Sequence, residues 1–236
     1  MSGQGSILYG KFIERPNRFL AKVNINGRTV ESFVPNPGRM YEFMIPGKSV
    51  FLRKNSASHR KTEYDMIGVL HDGIQVSIDS NLPNRFMRRL LETRSLSYFS
   101  NYNKVVPEPR LYNGRVDFRL EGEHDVTLIE VKSCTLVETG HALFPDAPTL
   151  RGTRHLKHLV KSLDDGIATK AAVVFVIQRP DARVFSPHDG NDPNFGDALR
   201  DAYDAGVDII PLTTKVVDWD LQLQERIPLI RGPLEF

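Results

Sequence analysis

The run AAVVFVI, from Ala171 to Ile177, does most to limit what this chain can fold into. A strand with one wet face alternates polar and apolar residues, so an unbroken apolar run of this length is a strand covered on both faces. Material for the cover lies on either side of it. Leu156, Leu159, Val160 and Leu163 recur at helical spacing within Arg151–Leu163. Asp192 offers an N-cap and Pro193 a first helical position for a helix through DALRDAYDA, with Gly206 as its stop. Val207–Leu212 returns as a strand. Upstream, Phe86, Met87, Leu90 and Leu91 share one helical face, and arginines occupy the other. With a hairpin at Gly114–Leu136, the order is helix, strand, strand, helix, strand, helix, strand. That is an α/β domain with a mixed sheet flanked by helices.

The first eighty or so residues read differently. Arg18–Ile25 alternates, Asn26-Gly27 is a type I′ hairpin signal, and Arg28–Val34 continues the ladder. PNPGRM and IPGKS are turn clusters before Val50–Arg53, and Asp72-Gly73 joins Tyr64–Leu70 to Ile74–Ile78. Five short antiparallel strands in this length suit a small Greek-key barrel of the OB kind, with a plain β-sandwich as the alternative. The polar DSNLPNR segment, broken by Pro83, places the boundary between domains of residues 1–82 and 83–236.

Composition narrows the function classes. With 236 residues the chain is long enough to bury a core without staples. Its single cysteine, Cys134, cannot close an internal disulfide, and there is no CxxC pair for structural zinc. MSGQGSILYGKF lacks a long apolar core and no stretch has the length of a membrane span, so a cytoplasmic protein is expected. There is no P-loop, no GxGxxG after a strand and no GxSxG. Net charge is only +2, but the cations cluster: Arg53 to Lys61 with His59 and Arg60, then Arg85 to Arg94, then Arg151 to Lys161. Such segregation fits a basic face as well as three solvated surfaces.

The chemistry concentrates in GRVDFRLEGEHDVTLIEVKSCTL. Residues two apart on a strand share a face, so Glu130 and Lys132 point together while Ile129 and Val131 pack the other way. If EGEHD turns the chain, Asp117 comes beside Glu130 across the ladder. Charged residues at alternate strand positions commonly just face water. Here Val116, Phe118, Ile129 and Val131 anchor the strands and hold the polar groups rigidly. Two carboxylates and an ammonium sum to about −1, which repels a phosphodiester until a hard divalent cation reverses the sign. Asp117, Glu130 and the backbone carbonyl of Val131 are the oxygen donors Mg²⁺ or Mn²⁺ prefers. Lys132 would position a water or stabilise charge on the reacting phosphate.

Asp117…Glu130-Val131-Lys132 resembles the core of PD-(D/E)XK nucleases. VPNPGRM at Val34–Met40, RVDFRL…LIEVKSCTLVE at Arg115–Glu138 and FPDAPTLRGTRHLKHL at Phe144–Leu159 resemble the sugar fermentation stimulation protein A family. The resemblance implies an OB-like N-terminal domain, a nuclease-like C-terminal domain and DNA binding without marked sequence preference. It assigns Asp117 and Glu130 as metal-binding acids and Lys132 as the catalytic lysine. Val116 stands where the Pro of the motif is expected. Such cores often add an acid from the first helix, for which Glu92 is the candidate. FPDAPT is expected as a loop beside the site, with Asp146 in an outer position.

DNA contacts are expected from Arg39, Arg115, Arg151, Arg154, His155 and Lys157, mainly to phosphate. Arg151, Arg154, His155 and Lys157 open a helix, where amide ends and cations act together. His155 and His158 at i, i+3 suit phosphate or water better than zinc, with no Cys nearby. Asn36, Gly38 and Arg39 either meet the DNA backbone or only make a bend. Phe33, Tyr41 and Phe43 either stack on bases or pack in the core. Two functions follow: a metal-dependent phosphodiesterase on DNA, or a non-catalytic DNA-binding regulator of sugar (maltose) metabolism that keeps the nuclease-like core as a scaffold. No membrane partner is expected.

Overall fold

A computed structural model describes residues 6–55 and 61–232; His59 and Arg60 of the first basic cluster lie outside them. The chain divides into two compact units. One takes in the chain up to Asn81 and then Lys215–Gln222; the other comprises Leu82–Thr214 and the segment from Leu223 on. Among the described residues, no helix is long and apolar enough to cross a membrane.

The first unit contains β1 (Ile7–Asn17), β2 (Leu20–Ile25), β3 (Arg28–Phe33), β4 (Ser49–Lys54), β5 (Tyr64–His71) and β6 (Ile74–Ser77). The sheet order is β3-β2-β1-β4-β5-β6, and a further β3–β5 pairing closes the first five strands into an OB barrel. Phe12, Val23, Val30, Val50, Leu52, Met66 and Val69 fill its interior. Asn26-Gly27 and Asp72-Gly73 turn with positive φ at both residues, as the hairpin signals required. The expected fifth strand needs correcting. Ile74–Ser77 joins β5 beyond the ring, and the ring is completed by β1. That strand carries little pattern: besides Phe12 its buried position is Gly10, which has no side chain and lies against Val23 and the Asn24 carbonyl.

The second unit begins with α1 (Leu82–Glu92), where Pro83 sits in the first turn and is buried. It continues with β7 (Lys104–Pro107), β8 (Arg110–Leu111), β9 (Gly114–Arg115), β10 (Phe118–Glu121), β11 (Val126–Cys134), β12 (Val137–Glu138), β13 (His141–Phe144) and α2 (Leu150–Asp164). Then come β14 (Lys170–Ile177), β15 (Val184–Pro187), α3 (Pro193–Asp204), β16 (Asp208–Val217) and β17 (Asp220–Arg226). The main sheet is mixed, ordered β17-β16-β14-β11-β10-β7. β14 runs parallel to both neighbours, and β11 runs antiparallel to β10. Every residue of the opening AAVVFVI run is buried. β7 and β17 flank the sheet, and sequence periodicity missed them because short, half-exposed edge strands bury too little to alternate clearly.

Both helices of the crossover region are tied down at their starts. The Thr149 side chain accepts from the Gly152 amide at 3.0 Å to cap α2. Asp192 caps α3 through the Phe195 amide at 3.1 Å and also accepts from the Thr149 amide at 2.7 Å. One carboxylate therefore fixes the first turns of both helices.

Trp219, in the segment that returns to the first unit, occupies a two-residue turn with Asp218 in which φ is 60° and 50°. Left-handed backbone disfavours bulky residues by about 1–2 kcal/mol. The indole packs against Phe51 at 4.5 Å between centroids, with the ring planes tilted by 54°. Gly68 makes this possible, because a Cβ there would lie 2.3 Å from Trp219 Cζ3.

Candidate active site

The β10–β11 register pairs Phe118 with Ile129 and Arg119 with Leu128. One step further along that register, Asp117 falls opposite Glu130. Phe118, Ile129 and Val131 are buried as the anchors of this pairing. Asp117 stands just ahead of β10, and both its oxygens are engaged. Oδ2 accepts from the Val131 amide at 2.7 Å, and Oδ1 accepts from Asn84 Nδ2 at 2.8 Å. The carboxylate is thus held between the first turn of α1 and the backbone of β11.

Glu130 is only 4% exposed. Its Oε1 accepts from Lys132 Nζ at 2.6 Å and also meets His155 Nδ1. The other ring nitrogen, Nε2, faces Arg151 Nε at 3.4 Å, so the ring is held between Arg151 and Glu130. His155 lies on the inward stripe of α2 with Gly152, Leu156 and Leu159, all buried.

The two acids are tuned in opposite directions. Burial pushes the Glu130 carboxyl up, but Lys132 and His155 outweigh it and hold the group below the ordinary carboxylate range. Burial and the negative charge of Glu130 push Asp117 up, and the Val131 amide, Lys132 and Asn84 only partly offset them. Glu130 is committed to Lys132 and His155, whereas the charge on Asp117 stays disfavoured. Among the described residues, no three His, Cys, Asp or Glu side chains converge as a ready metal cage.

The remaining expected residues are placed as follows. Arg151, Arg154 and Lys157 are exposed on α2. Arg115 is exposed and paired with Glu108 at 3.1 Å. Glu92 is exposed at the last turn of α1, paired with Arg88 at 2.7 Å, so the α1 side chain that reaches Asp117 is Asn84 and not Glu92. His155 is turned inward to Glu130 and does not stand on the cationic surface of its helix. His158 meets the Tyr112 ring edge-on, at 5.2 Å. Asp146 is half-buried, and its carbonyl accepts from Asn191 Nδ2 at 3.2 Å.

Asn84 was missed because its segment read as a polar break. His155 was legible, since it sits four residues before Leu159 on the apolar stripe. In the barrel unit, the Arg15 guanidinium donates to the carbonyls of Asn36, Gly38 and Arg39 at 2.7–3.0 Å, so PNPGR is built as a bend with Arg39 exposed. Phe43 is buried in the core, Phe33 is half-buried and Tyr41 is 73% exposed.

Family models give this arrangement its relatives. Residues 81–219 match the sugar fermentation stimulation protein RE domain, and residues 13–78 match the SfsA N-terminal OB domain. The chain belongs to the SfsA family. A sugar fermentation stimulation protein homolog of Clostridium kluyveri is 40% identical over 231 residues, covering 98% of this chain and 96% of the relative. One from Acetivibrio thermocellus is 42% identical over 229 residues, covering 97% and 96%. The solved structure of Pyrococcus furiosus SfsA in complex with Ca²⁺ superimposes with a TM-score of 0.86 at 29% identity, covering 95% of this chain and 96% of that one. SfsA family membership therefore spans both units.

Proposed function

We propose that this protein binds DNA with little sequence preference, mainly through the phosphate backbone, and hydrolyses phosphodiesters at a divalent-metal-dependent centre formed by Asp117, Glu130 and Lys132. The observation that carries this reading is the approach of half-buried Asp117, just ahead of β10, to buried Glu130 on β11, with Lys132 bonded to Glu130. A mere scaffold gains nothing from an acid held, as Asp117 is, where burial and a neighbouring carboxylate disfavour its charge.

The donor set fits a hard cation that keeps part of its water shell. Asp117, Glu130 and the Val131 carbonyl offer a few oxygens and no sulfur, as Mg²⁺ or Mn²⁺ prefers, and Glu92 stands away from them. The relative from Pyrococcus furiosus was solved with Ca²⁺, another oxygen-seeking cation, which supports a divalent site. When bound, the ion supplies charge neutralisation and a water of lowered pKa. The chain's own groups do the rest. Asn84 and the Val131 amide aim Asp117, and His155 holds Glu130 in place. Lys132 sits where it can orient a water or stabilise charge on phosphate oxygens. Arg151, Arg154 and Lys157 project from the opening turns of α2, where cations and amide ends together suit phosphate. Arg115, in the same unit, is a further exposed cation, Arg39 is exposed on the barrel unit, and His155 leaves that set.

A second reading keeps the core as a scaffold in a non-catalytic DNA-binding regulator of sugar (maltose) metabolism. The closed Glu130–Lys132–His155 cluster favours it, because Glu130 is already neutralised within the protein. One experiment separates the two. Plasmid and single-stranded DNA are incubated with purified protein and Mg²⁺ or Mn²⁺, beside Asp117→Ala and Lys132→Ala. Cutting by the parent alone supports hydrolysis at this site. Equal cutting by all three defeats it, and binding without cutting supports the regulator.

A further inference from the structure

Three large rings lie outside the barrel core on one stretch of the first unit. Phe19 is 41% exposed and Tyr41 73%, and half-buried Phe33 stacks on Phe19 with ring planes 14° apart. Each exposed ring has a guanidinium beside it: Arg18 lies 4.9 Å from the Phe19 centroid and Arg39 lies 6.0 Å from that of Tyr41. Two hollows meet at Asn17. One, of about 580 Å³, is lined by Phe19, Phe33, Lys61 and Glu31 among others; the second, of about 470 Å³, is lined by Arg18, Arg39 and Tyr41 among others.

The backbone under these side chains is preorganised. Asn17 Oδ1 accepts from the Phe19 amide at 2.9 Å and fixes that turn. The Arg15 guanidinium donates to the Arg18 carbonyl at 2.6 Å and also to the Asn36–Arg39 bend. One half-buried guanidinium therefore ties together the two loops that carry Arg18 with Phe19 and Arg39 with Tyr41. Met40, at φ 50° and 1% exposure, anchors the second loop while Arg39 and Tyr41 turn outward on either side of it.

We propose that this face is a track for single-stranded nucleic acid, with bases stacking on Phe19, Phe33 and Tyr41 and phosphates meeting Arg18, Arg39 and Lys61. It deepens the DNA-binding reading above and rests on it for the class of polymer. Rings and cations alternate here as bases and phosphates alternate along an unpaired strand. A duplex hides its base faces, and an acidic peptide has nothing to stack. Glu14 does not oppose phosphate at full strength, because Lys22 pairs with it at 2.7 Å; among the described residues Glu31 is the one carboxylate lining the first hollow, and it suits a base amino group.

The test uses the full chain and fluorescence anisotropy with labelled oligo-dT and with a duplex of equal length. Phe19→Ala and Tyr41→Ala should each weaken oligo-dT binding about fivefold to 150-fold and leave duplex binding unchanged. Tyr41→Phe should bind oligo-dT as the parent does, since the stacking face is retained. Thermal unfolding verifies that these surface variants fold. Unchanged oligo-dT affinity in both alanine variants overturns the track while the DNA-binding reading stands. Equal losses for oligo-dT and duplex, or equal competition by poly-glutamate, reduce the face to a general cation patch and also overturn it. Failure of the parent to bind either DNA removes both readings together.

Discussion

In the second unit, the side chains of Glu130 and Lys132 are 5% and 12% exposed and joined by a short ion pair, whereas the barrel unit carries Arg18, Arg39 and Lys61 at its solvent-facing surface. The same kinds of charge do different work in the two places. Buried, an ion must keep its partner, so its position is set closely and its removal is expensive. Exposed, it is screened and mobile, and suits a long, variable polymer. The molecule thus holds one set of charges at fixed positions and leaves another set exposed.

The contrast breaks most readily at Glu130. Glu130→Gln leaves Lys132 and His155 against a neutral group and should lower stability by about 3–5 kcal/mol in urea unfolding. A loss near that of a surface pair would show that the cluster is not truly desolvated. Next in size is Lys132→Ala, for which a fall in cleavage rate of about 10²–10³-fold is expected with DNA affinity retained, measured in single-turnover assays.

Asp117→Asn should act in the opposite sense on stability. The Asn84 amide can rotate so that both hydrogen bonds survive, and a disfavoured, half-buried charge is gone, so metal-free protein should gain about 1 kcal/mol while losing divalent-ion binding. The pH dependence follows with signs worked out. The Asp117 pKa is raised on folding, so its contribution is present in acid, below its unfolded pKa, and is lost as pH rises through the raised value. The Glu130 pKa is lowered, so its contribution is present above its unfolded pKa and is lost only as pH falls through the lowered value. Unfolding followed between acid and neutral pH should therefore show the Asp117-linked decline in the parent and not in Asp117→Asn. Binding of Ca²⁺ or Mn²⁺ by calorimetry should weaken on acidification at a higher pH than an ordinary aspartate would give.

The smallest effects belong to exposed groups. Glu92→Gln removes the Arg88 pair and should change stability by no more than about 0.5 kcal/mol, with ion binding intact. Arg154→Ala should leave stability unchanged within error and reduce the slope of log affinity against log salt by about 0.9 for one lost phosphate contact.

Much of this was present in the order of residues. AAVVFVI required cover on two faces, Asn26-Gly27 and Asp72-Gly73 required their turns, Asp192-Pro193 required a helix start, and the alternation around Asp117 and Glu130 put one acid on an anchored strand and the other at the mouth of its neighbour. These are local rules of backbone geometry and burial, and they act within a few residues. Other features answer only to long-range packing. β1 is a strand because a ring needed closing, although Gly10 blurs its pattern. Asn84 rather than Glu92 reaches Asp117 because of where the first turn of α1 comes to rest. His155 becomes a partner of Glu130 because capped α2 presents its inner face to that acid, across 25 residues of sequence. Which donor meets which acceptor depends on the angle at which packed elements cross, and no spacing along a chain encodes that angle by itself.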